Sequence, residues 1–406
     1  MKIVQINAIY GSLSTGVIMA DIQQRCIDNG IDAYVAYSLL GVPENMVVNG
    51  IRIGNAFDEK LHALLSRACG KQGYYSTLST IKFIRNLEKI KPDIVHLHNL
   101  HNNYINLNLL LQYLAKHDIA TVITMHDCWY FTGGCYHYSD IRCHRWQSSC
   151  GHCPKRYQEI PAYLCDSSAQ ILKDRKRFLN AIPRLYIVGC SRWVADEARK
   201  SVLSNCNIRH IYNGFDLDVF KPTPSDMANR LGIESKFILL GPASKWMSEV
   251  NKETLQCFVK ALPPECVMVL FGAKNTKKTV AKNVILYGYT QSREEMAQLY
   301  SMADVMVNCS REDTLSSLNL EAQACGTPVI TYEATGSKET VDGECGFAVE
   351  TGNAKRLFEC VELIKRNTKA KYSAACRRWI ENNFKKENNY QLYLDLYKEI
   401  VHKNVS

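Results

Sequence analysis

Short apolar runs rich in valine and isoleucine recur along the whole chain, separated by amphipathic segments, and this alternation limits the fold more than any other feature. In the first half the runs are Lys2–Ala8, Ala33–Tyr37, Asp93–His98, Ala120–Met125 and Leu185–Cys190. In the second half they are Phe237–Leu240, Val267–Phe271, Val284–Tyr287, Val305–Asn308 and Pro328–Thr331. Near-continuous apolar runs of this length suit strands covered on both faces, as in a parallel sheet. The intervening segments Gly16–Asn29, Leu107–Lys116, Thr254–Ala261, Arg293–Met302 and Leu320–Cys325 read as crossover helices. Strand then helix, repeated, predicts an α/β architecture, and two sets of such runs predict two Rossmann-like domains. A chain of 406 residues has the length for two or three domains. The turn dipeptide Asn213-Gly214 and the stretch Lys221-Pro-Thr-Pro224 place the break at residues 212–224. The expected domains are residues 1–212, with a cysteine-rich insert at 128–165, and residues 213–380. The helical stretch Tyr372–Ile400 follows the last strand signal, and residues 381–406 are expected to cross back onto the first domain.

Charge is distributed unevenly. Residues 1–212 hold 24 basic and 16 acidic side chains, a net +8, and residues 213–406 hold 25 and 24. A basic half suits an anionic partner such as phosphate groups or a membrane surface, or it is a solvated face. The cations Lys60, Arg67 and Lys71, then Lys82 and Arg85, and the run Lys173–Arg177 are the candidates for peripheral contact with an anionic membrane. No run of 18 apolar residues is present, and MKIVQINAIY has no apolar core ending in small residues. A cytoplasmic enzyme, working at the inner membrane face, is expected. Seventeen cysteines are then reduced thiols, several of them small buried hydrophobes like Cys190 and Cys309. Nucleic acid is not an expected partner. Trp146, Arg142 and Arg145 interleave only weakly with the cysteines, and such a role leaves two α/β domains without a purpose.

The segment from Cys309 to Gly346 carries the most chemistry. Asp313 and Glu321 stand eight residues apart and flank a turn into a helix. Amides at Thr314 to Ser317 would meet ligand oxygens beside Asp313, and Glu321 could accept ribose hydroxyls. An N-cap Asp313 and a first-turn Glu321, each worth roughly 1 kcal/mol, account for the same spacing equally well.

Asp313-x7-Glu321, Ala322–Ile330 (AQACGTPVI), Thr335-Gly-Ser-Lys-Glu339 and Gly343–Gly346 together resemble the retaining glycosyltransferases of family 4. That family has the GT-B fold of two facing Rossmann-like domains. Gly11–Gly16 (GSLSTG), Asp93–His98 and Thr124–Asp127 resemble its N-terminal strand ends. His126–Cys135 (HDCWYFTGGC) is similar to a bacterial branch that builds capsule, colanic-acid-like or O-antigen polysaccharide. The resemblance implies catalytic positions at His126 and Asp313, with His126 in the cleft near the reacting oxygens. Asp313 stands where the family has glutamate, one methylene longer, to touch donor-sugar hydroxyls. Donor-binding positions follow at Gly16, Thr314, Leu315, Ser316, Glu321 and Glu339, with Glu321 on the nucleotide ribose. The family also places an Arg and a Lys-Gly pair after the first strand of its second domain. Leu239–Thr254 (LLGPASKWMSEVNKET) has neither. Lys245 and Lys252 remain, with Lys252 nearer the expected place and Ser244 and Lys338 as helpers. A lysine holds phosphate as a point charge, without the bidentate fork of arginine.

Cys135, Cys143, Cys150 and Cys153 sit in one long loop with His137, His144 and His152. Four thiolates could close a structural zinc site, although only Cys150-Gly-His-Cys153 has tight spacing; reduced thiols without metal are the alternative. No cofactor is required for catalysis on this reading. The expected function is transfer of a sugar, with retention, from a nucleotide-diphosphate donor to a saccharide acceptor. A polyprenyl-diphosphate-linked acceptor in polysaccharide biosynthesis is implied. A catalytically impaired sugar-nucleotide binder, or a nucleotide-sugar isomerase or hydrolase on the same fold, are the alternatives.

Overall fold

The computed structural model describes residues 1–159 and 161–403. The chain forms two compact units, Met1–Asn213 with the residues from Glu387 onward, and Gly214–Lys386.

The first unit is built on a parallel seven-stranded sheet. Its order is Gly50–Arg52, Asp32–Tyr37, Lys2–Ile6, Ile94–Leu97, Ala120–Met125, Leu185–Gly189, Asn207–His210. Every residue of Ala120–Met125 is buried, which explains why its sequence is continuously apolar or β-branched. The helix Leu13–Asp28 covers one face through Ile18, Ile22 and Cys26. The terminal helix Lys386–His402 packs in the same core through Tyr390, Tyr393, Leu394 and Tyr397. Chain order reverses between Lys2–Ile6 and Ile94–Leu97. Ligands of open α/β sheets bind beyond the strand C-termini at such a reversal, here beside Asn7, Gly11, Gly16 and His98.

The second unit has a parallel six-stranded sheet in the order Val284–Leu286, Cys266–Phe271, Phe237–Pro242, Val305–Asn308, Val329–Tyr332, Gly346–Val349. Its reversal lies between Phe237–Pro242 and Val305–Asn308, which brings Ala243–Lys245 and Cys309–Asp313 to one end. Among the described residues, no helix is long and apolar enough to cross a membrane.

All ten strand expectations fall on strands. Gly50–Arg52, Asn207–His210 and Gly346–Val349 were not foreseen. Each is a sheet edge of three or four residues, too short and one-sided to show an apolar run. Tyr372–Ile400, expected as one helical stretch, is divided. The helical run Ala354–Asn383, itself kinked at Thr368, ends at Phe384, and Lys386–His402 follows. The break is held by Phe215, whose amide donates to the Phe384 carbonyl at 2.7 Å and whose carbonyl accepts from the Lys386 amide at 3.3 Å.

Candidate functional site

In the first unit, Gly11 turns the chain in the left-handed region (φ 74°) and donates its amide to the Gly16 carbonyl at 3.0 Å. A Cβ on Gly16 would stand 3.1 Å from the Ile9 carbonyl oxygen. The small residue therefore lets the helix begin tight against the strand.

Across the reversal, Ile94–Leu97 and Ala120–Met125 run in register and deliver His98 and His126 side by side. The two rings lie within 14° of parallel, and His98 Nδ1 is 3.1 Å from His126 Nε2. His98 Nε2 is 3.1 Å from Gln5 Oε1, and Gln5 Nε2 donates to the Met19 carbonyl at 3.3 Å. The Met19 carbonyl fixes the Gln5 amide, because the reverse orientation would set two acceptors against each other. Gln5 Oε1 thus takes the proton of His98 Nε2. Burial, then repulsion from His96 and His126, holds the His98 pKa well below the usual range, so the ring is neutral and its Nδ1 is an acceptor. His126 must then carry its proton on Nε2 and leave Nδ1 bare. His126 Nδ1 is buried and has no protein partner. Burial lowers the His126 pKa to about 4, with Asp127 opposing.

Asp127 accepts from the Trp129 amide at 2.8 Å and meets His101 Nε2 at 3.0 Å. Burial alone would raise its pKa, but the charge and hydrogen bond of His101 and the Trp129 amide turn the shift downward. His98, Gln5 and His101 escaped the sequence reading as site members, although His96-x-His98 at a strand end was the visible signal. One charge expectation needs correction. Within Lys173–Arg177, Arg175 is 2% exposed, lies 4.0 Å from the centre of the Trp129 ring and donates to the Thr132 carbonyl. It braces the loop after His126 and is not part of a surface patch.

In the second unit the helix Ser317–Ala324 starts just after Asp313. The Asp313 backbone is fixed by Thr335. Its amide donates to Thr335 Oγ1 at 3.0 Å, and its carbonyl accepts from that hydroxyl and from the Gly336 amide. Thr335 is a β-branched residue at φ 52°, a strained conformation that these bonds hold in place. Asn308 Nδ2 donates to Ser316 Oγ at 3.0 Å and to Asn319 Oδ1 at 2.8 Å, anchoring the first turn from below. Ser316 Oγ is thereby engaged with the strand rather than capping its helix. The Thr314 hydroxyl is buried without a partner, and Leu315 is buried beside it. Glu321 is partly open to solvent and receives the Tyr300 hydroxyl at 2.9 Å. Burial raises its pKa to about 7 against the opposing Tyr300 bond and the more distant Arg293. Glu339 lies on the short 3₁₀ segment Thr335–Thr340, beyond the turn that fixes Asp313.

The cations divide. Lys252 is exposed and paired at 3.2 Å with the still more exposed Glu249, and Ser244 is exposed. Lys245 is half-buried and acts electrostatically on the Cys309 thiol together with Arg311. Buried Asn251 organises this end of the sheet. Its Nδ2 donates to the carbonyls of Lys245 at 3.1 Å and Cys309 at 2.8 Å, and its Oδ1 accepts from Arg311 Nε at 2.9 Å. Arg311 was passed over in the sequence because it precedes the Asp313 motif instead of following the first strand.

Cys135, Cys143, Cys150 and Cys153 line one small cavity of about 20 Å³. Gly133 makes room for Cys150, since a Cβ there would stand 2.9 Å from its sulfur. The loop is pinned by Arg145 Nη1, which donates to the carbonyls of Gly151 and His152, and by the Cys153 amide on Asp166. Burial first, and the neighbouring thiols among further causes, push the Cys135 and Cys150 thiols up, to about 12 and about 11. Among the described residues, no three His, Cys, Asp or Glu side chains already stand around one point as a metal group. Closing a zinc site would take rotation of these side chains about the cavity they share.

Two family models match. Residues 59–219 match Glycosyltransferase Family 4, and residues 252–386 match Glycosyl transferases group 1. The chain is 24% identical over 289 residues to the putative colanic acid biosynthesis glycosyl transferase WcaC of Escherichia coli, covering 68% of this chain and 67% of that protein. It is 23% identical over 232 residues to N-acetyl-alpha-D-glucosaminyl L-malate synthase of Bacillus anthracis, covering 53% of this chain and 60% of that protein. A capsular polysaccharide biosynthesis glycosyltransferase, CapM of Staphylococcus aureus, is 27% identical over 122 residues, covering 29% and 31% of the two chains. Among solved structures, sucrose-phosphate synthase from Thermosynechococcus elongatus superposes with TM-score 0.69 at 17% identity, over 99% of both chains. The Anabaena protein HepE in complex with UDP superposes with TM-score 0.64 at 16% identity, over 98% of this chain and 100% of that one. Two Rossmann-like units each built on a parallel sheet, the acidic pair around a helix start and both family matches lead to one assignment: the chain belongs to the GT-B glycosyltransferases of family 4.

Proposed function

We propose that the chain transfers a sugar from a nucleoside-diphosphate donor to a saccharide acceptor, with retention at the anomeric carbon, in polysaccharide assembly. The observation that carries this reading is the second unit's reversal point. Asp313 and Glu321 flank a helix start there, while Lys245 and Arg311 lie at the same strand ends. A nucleoside diphosphate needs a carboxylate for ribose hydroxyls, amides and cations for phosphate oxygens, and a carboxylate for the sugar. Glu321 supplies the first, and Thr314–Ser316 with Lys245 and Arg311 supply the second. Asp313 supplies the third. The family's arginine after the first strand is missing, which would favour a binder without turnover. Arg311, tied to Asn251 from the neighbouring strand, answers that objection with a guanidinium of its own. His126 offers its bare Nδ1 to a hydroxyl proton. The WcaC and CapM names support polysaccharide as the product, and the UDP bound to HepE supports a nucleotide-diphosphate donor. The acceptor is proposed to be a saccharide on polyprenyl diphosphate, met at the cytoplasmic membrane face. The cysteine loop is proposed to hold a structural zinc, with no catalytic step assigned to it.

A thermal-shift screen against UDP-, GDP- and dTDP-sugars identifies the donor, since a ligand well above its Kd stabilises the fold by a few kcal/mol. With that donor, Asp313→Asn is expected to lower turnover at least tenfold and to change nucleotide affinity little, because the carboxylate orients the sugar while other groups hold the nucleotide. Unchanged turnover in Asp313→Asn refutes the donor-site assignment.

A further inference from the structure

The helix Ala56–Cys69 turns a bare apolar stripe to solvent. Phe57, Leu61 and Leu64 are 76%, 44% and 65% exposed, and Leu65 is also exposed. At 100° per residue these four span about 100° of the helix, so they form one strip. The opposite side carries the buried His62 and Ser66. His62 is locked there, with Nδ1 2.8 Å from Ser76 Oγ and Nε2 receiving the Gly73 amide at 3.2 Å. The helix therefore cannot roll its leucines inward. Tyr163 and Leu164, 62% and 75% exposed, donate their amides to the carbonyls of Arg67 and Ala68. They extend the apolar surface beyond the helix C-terminus.

The polar groups of the same helix are sorted by sign. Its acids face the protein: Asp58 and Glu59 are only partly exposed, and Glu59 accepts from the Ser38 hydroxyl. Its cations Lys60 and Arg67 are exposed and fall together along one border of the stripe. The result is a solvent face with aromatic and leucine side chains edged by positive charge. That combination suits an interfacial helix, which lies in the plane of a bilayer with its apolar side among acyl chains and its cations on anionic headgroups.

We propose that this helix face, with Tyr163 and Leu164, is the surface by which the first unit docks on an anionic lipid bilayer. The proposal deepens the acceptor reading above, because an acceptor on polyprenyl diphosphate is confined to a bilayer. Lys82 and Arg85 lie exposed on the next helix, Thr77–Ile90.

The test is co-sedimentation of the full chain with vesicles of phosphatidylcholine alone and of phosphatidylcholine mixed with phosphatidylglycerol. Binding to the anionic vesicles is expected at low salt, weakening as salt rises, with none to the neutral ones. Leu61→Ser combined with Leu64→Ser is expected to weaken it at least tenfold. Lys60→Gln combined with Arg67→Gln is expected to weaken it and flatten its salt dependence. Phe57→Trp is expected to shift its emission to the blue on anionic vesicles only. All five positions are exposed, so the fold stays intact, and unchanged nucleotide-sugar thermal shifts verify this. No sedimentation at low salt, or sedimentation indifferent to both pairs of substitutions, overturns the proposal. So does a solution dimer abolished by Leu61→Ser and Leu64→Ser, which would make the face an interface between copies. Nucleotide-sugar binding without vesicle binding overturns the docking surface and leaves the transferase reading standing. Vesicle binding without nucleotide-sugar binding does the reverse.

Discussion

Replacing Glu321 by glutamine should stabilise the protein, and the gain should grow with pH. Burial shifts the Glu321 carboxyl from the ordinary 4.5 to about 7, with Tyr300 and Arg293 only partly offsetting it. Between those values the native carboxyl keeps its proton while the unfolded one has released it. The native state then binds more protons than the unfolded state, so stability falls as pH rises from 4.5 to 7 and levels off above. At 1.36 kcal/mol per pH unit, the cost is roughly 1 kcal/mol near pH 5 and roughly 3 kcal/mol near pH 8. Glutamine has no such titration and can still accept the Tyr300 hydroxyl. Any constant cost of its amide hydrogens cancels when two pH values are compared. Glu321→Gln is therefore expected to gain about 2 kcal/mol on wild type between pH 5 and pH 8, read from urea melts of the transition that nucleotide shifts. The same substitution is expected to weaken nucleotide binding at high pH, where the ionised carboxylate accepts ribose hydroxyls. A stability difference that is equal at both pH values, or that moves the other way, would show that Glu321 ionises normally and would refute the argument from burial.

Three further outcomes are expected. Protein purified under reducing conditions should carry about one zinc per chain, bound by Cys135, Cys143, Cys150 and Cys153; elemental analysis without metal sinks that assignment. A long-range nitrogen–proton spectrum of histidine-labelled protein, assigned with His126→Gln, should show His126 protonated on Nε2 and bare on Nδ1 at neutral pH. Gln5→Leu should mix the two tautomers and lower turnover roughly tenfold or more, since a ring that no longer presents one acceptor orients a hydroxyl poorly. An Nδ1-protonated His126 in wild type would contradict the relay from Gln5.

The strand and crossover pattern was legible in the sequence because parallel strands are buried on both faces. Burial on both faces writes a continuous apolar run, as in Ala120–Met125. The placement of Asp313 and Glu321 around a helix start was legible because a helix start and one helix pitch are local geometry, set by spacing along the chain. Gln5, His98 and His126 were not legible as one device. They come from three strands that are adjacent only after the sheet forms, and the tautomer rests on where the Met19 carbonyl lies. Arg311 reaches Asn251 across sixty positions of sequence, a distance no motif spans. The run Lys173–Arg177 shows the opposite failure: five adjacent residues looked like one charged patch, yet packing sends Arg175 inward onto Trp129. The bare stripe on Ala56–Cys69 likewise depended on tertiary structure. Its apolar residues would serve equally as a core, and only the locked side chains of His62 and Ser76 decide that they face outward. Local spacing and two-faced burial leave their mark on sequence; contacts between distant strands, and the choice of which helix face is covered, are made by packing alone.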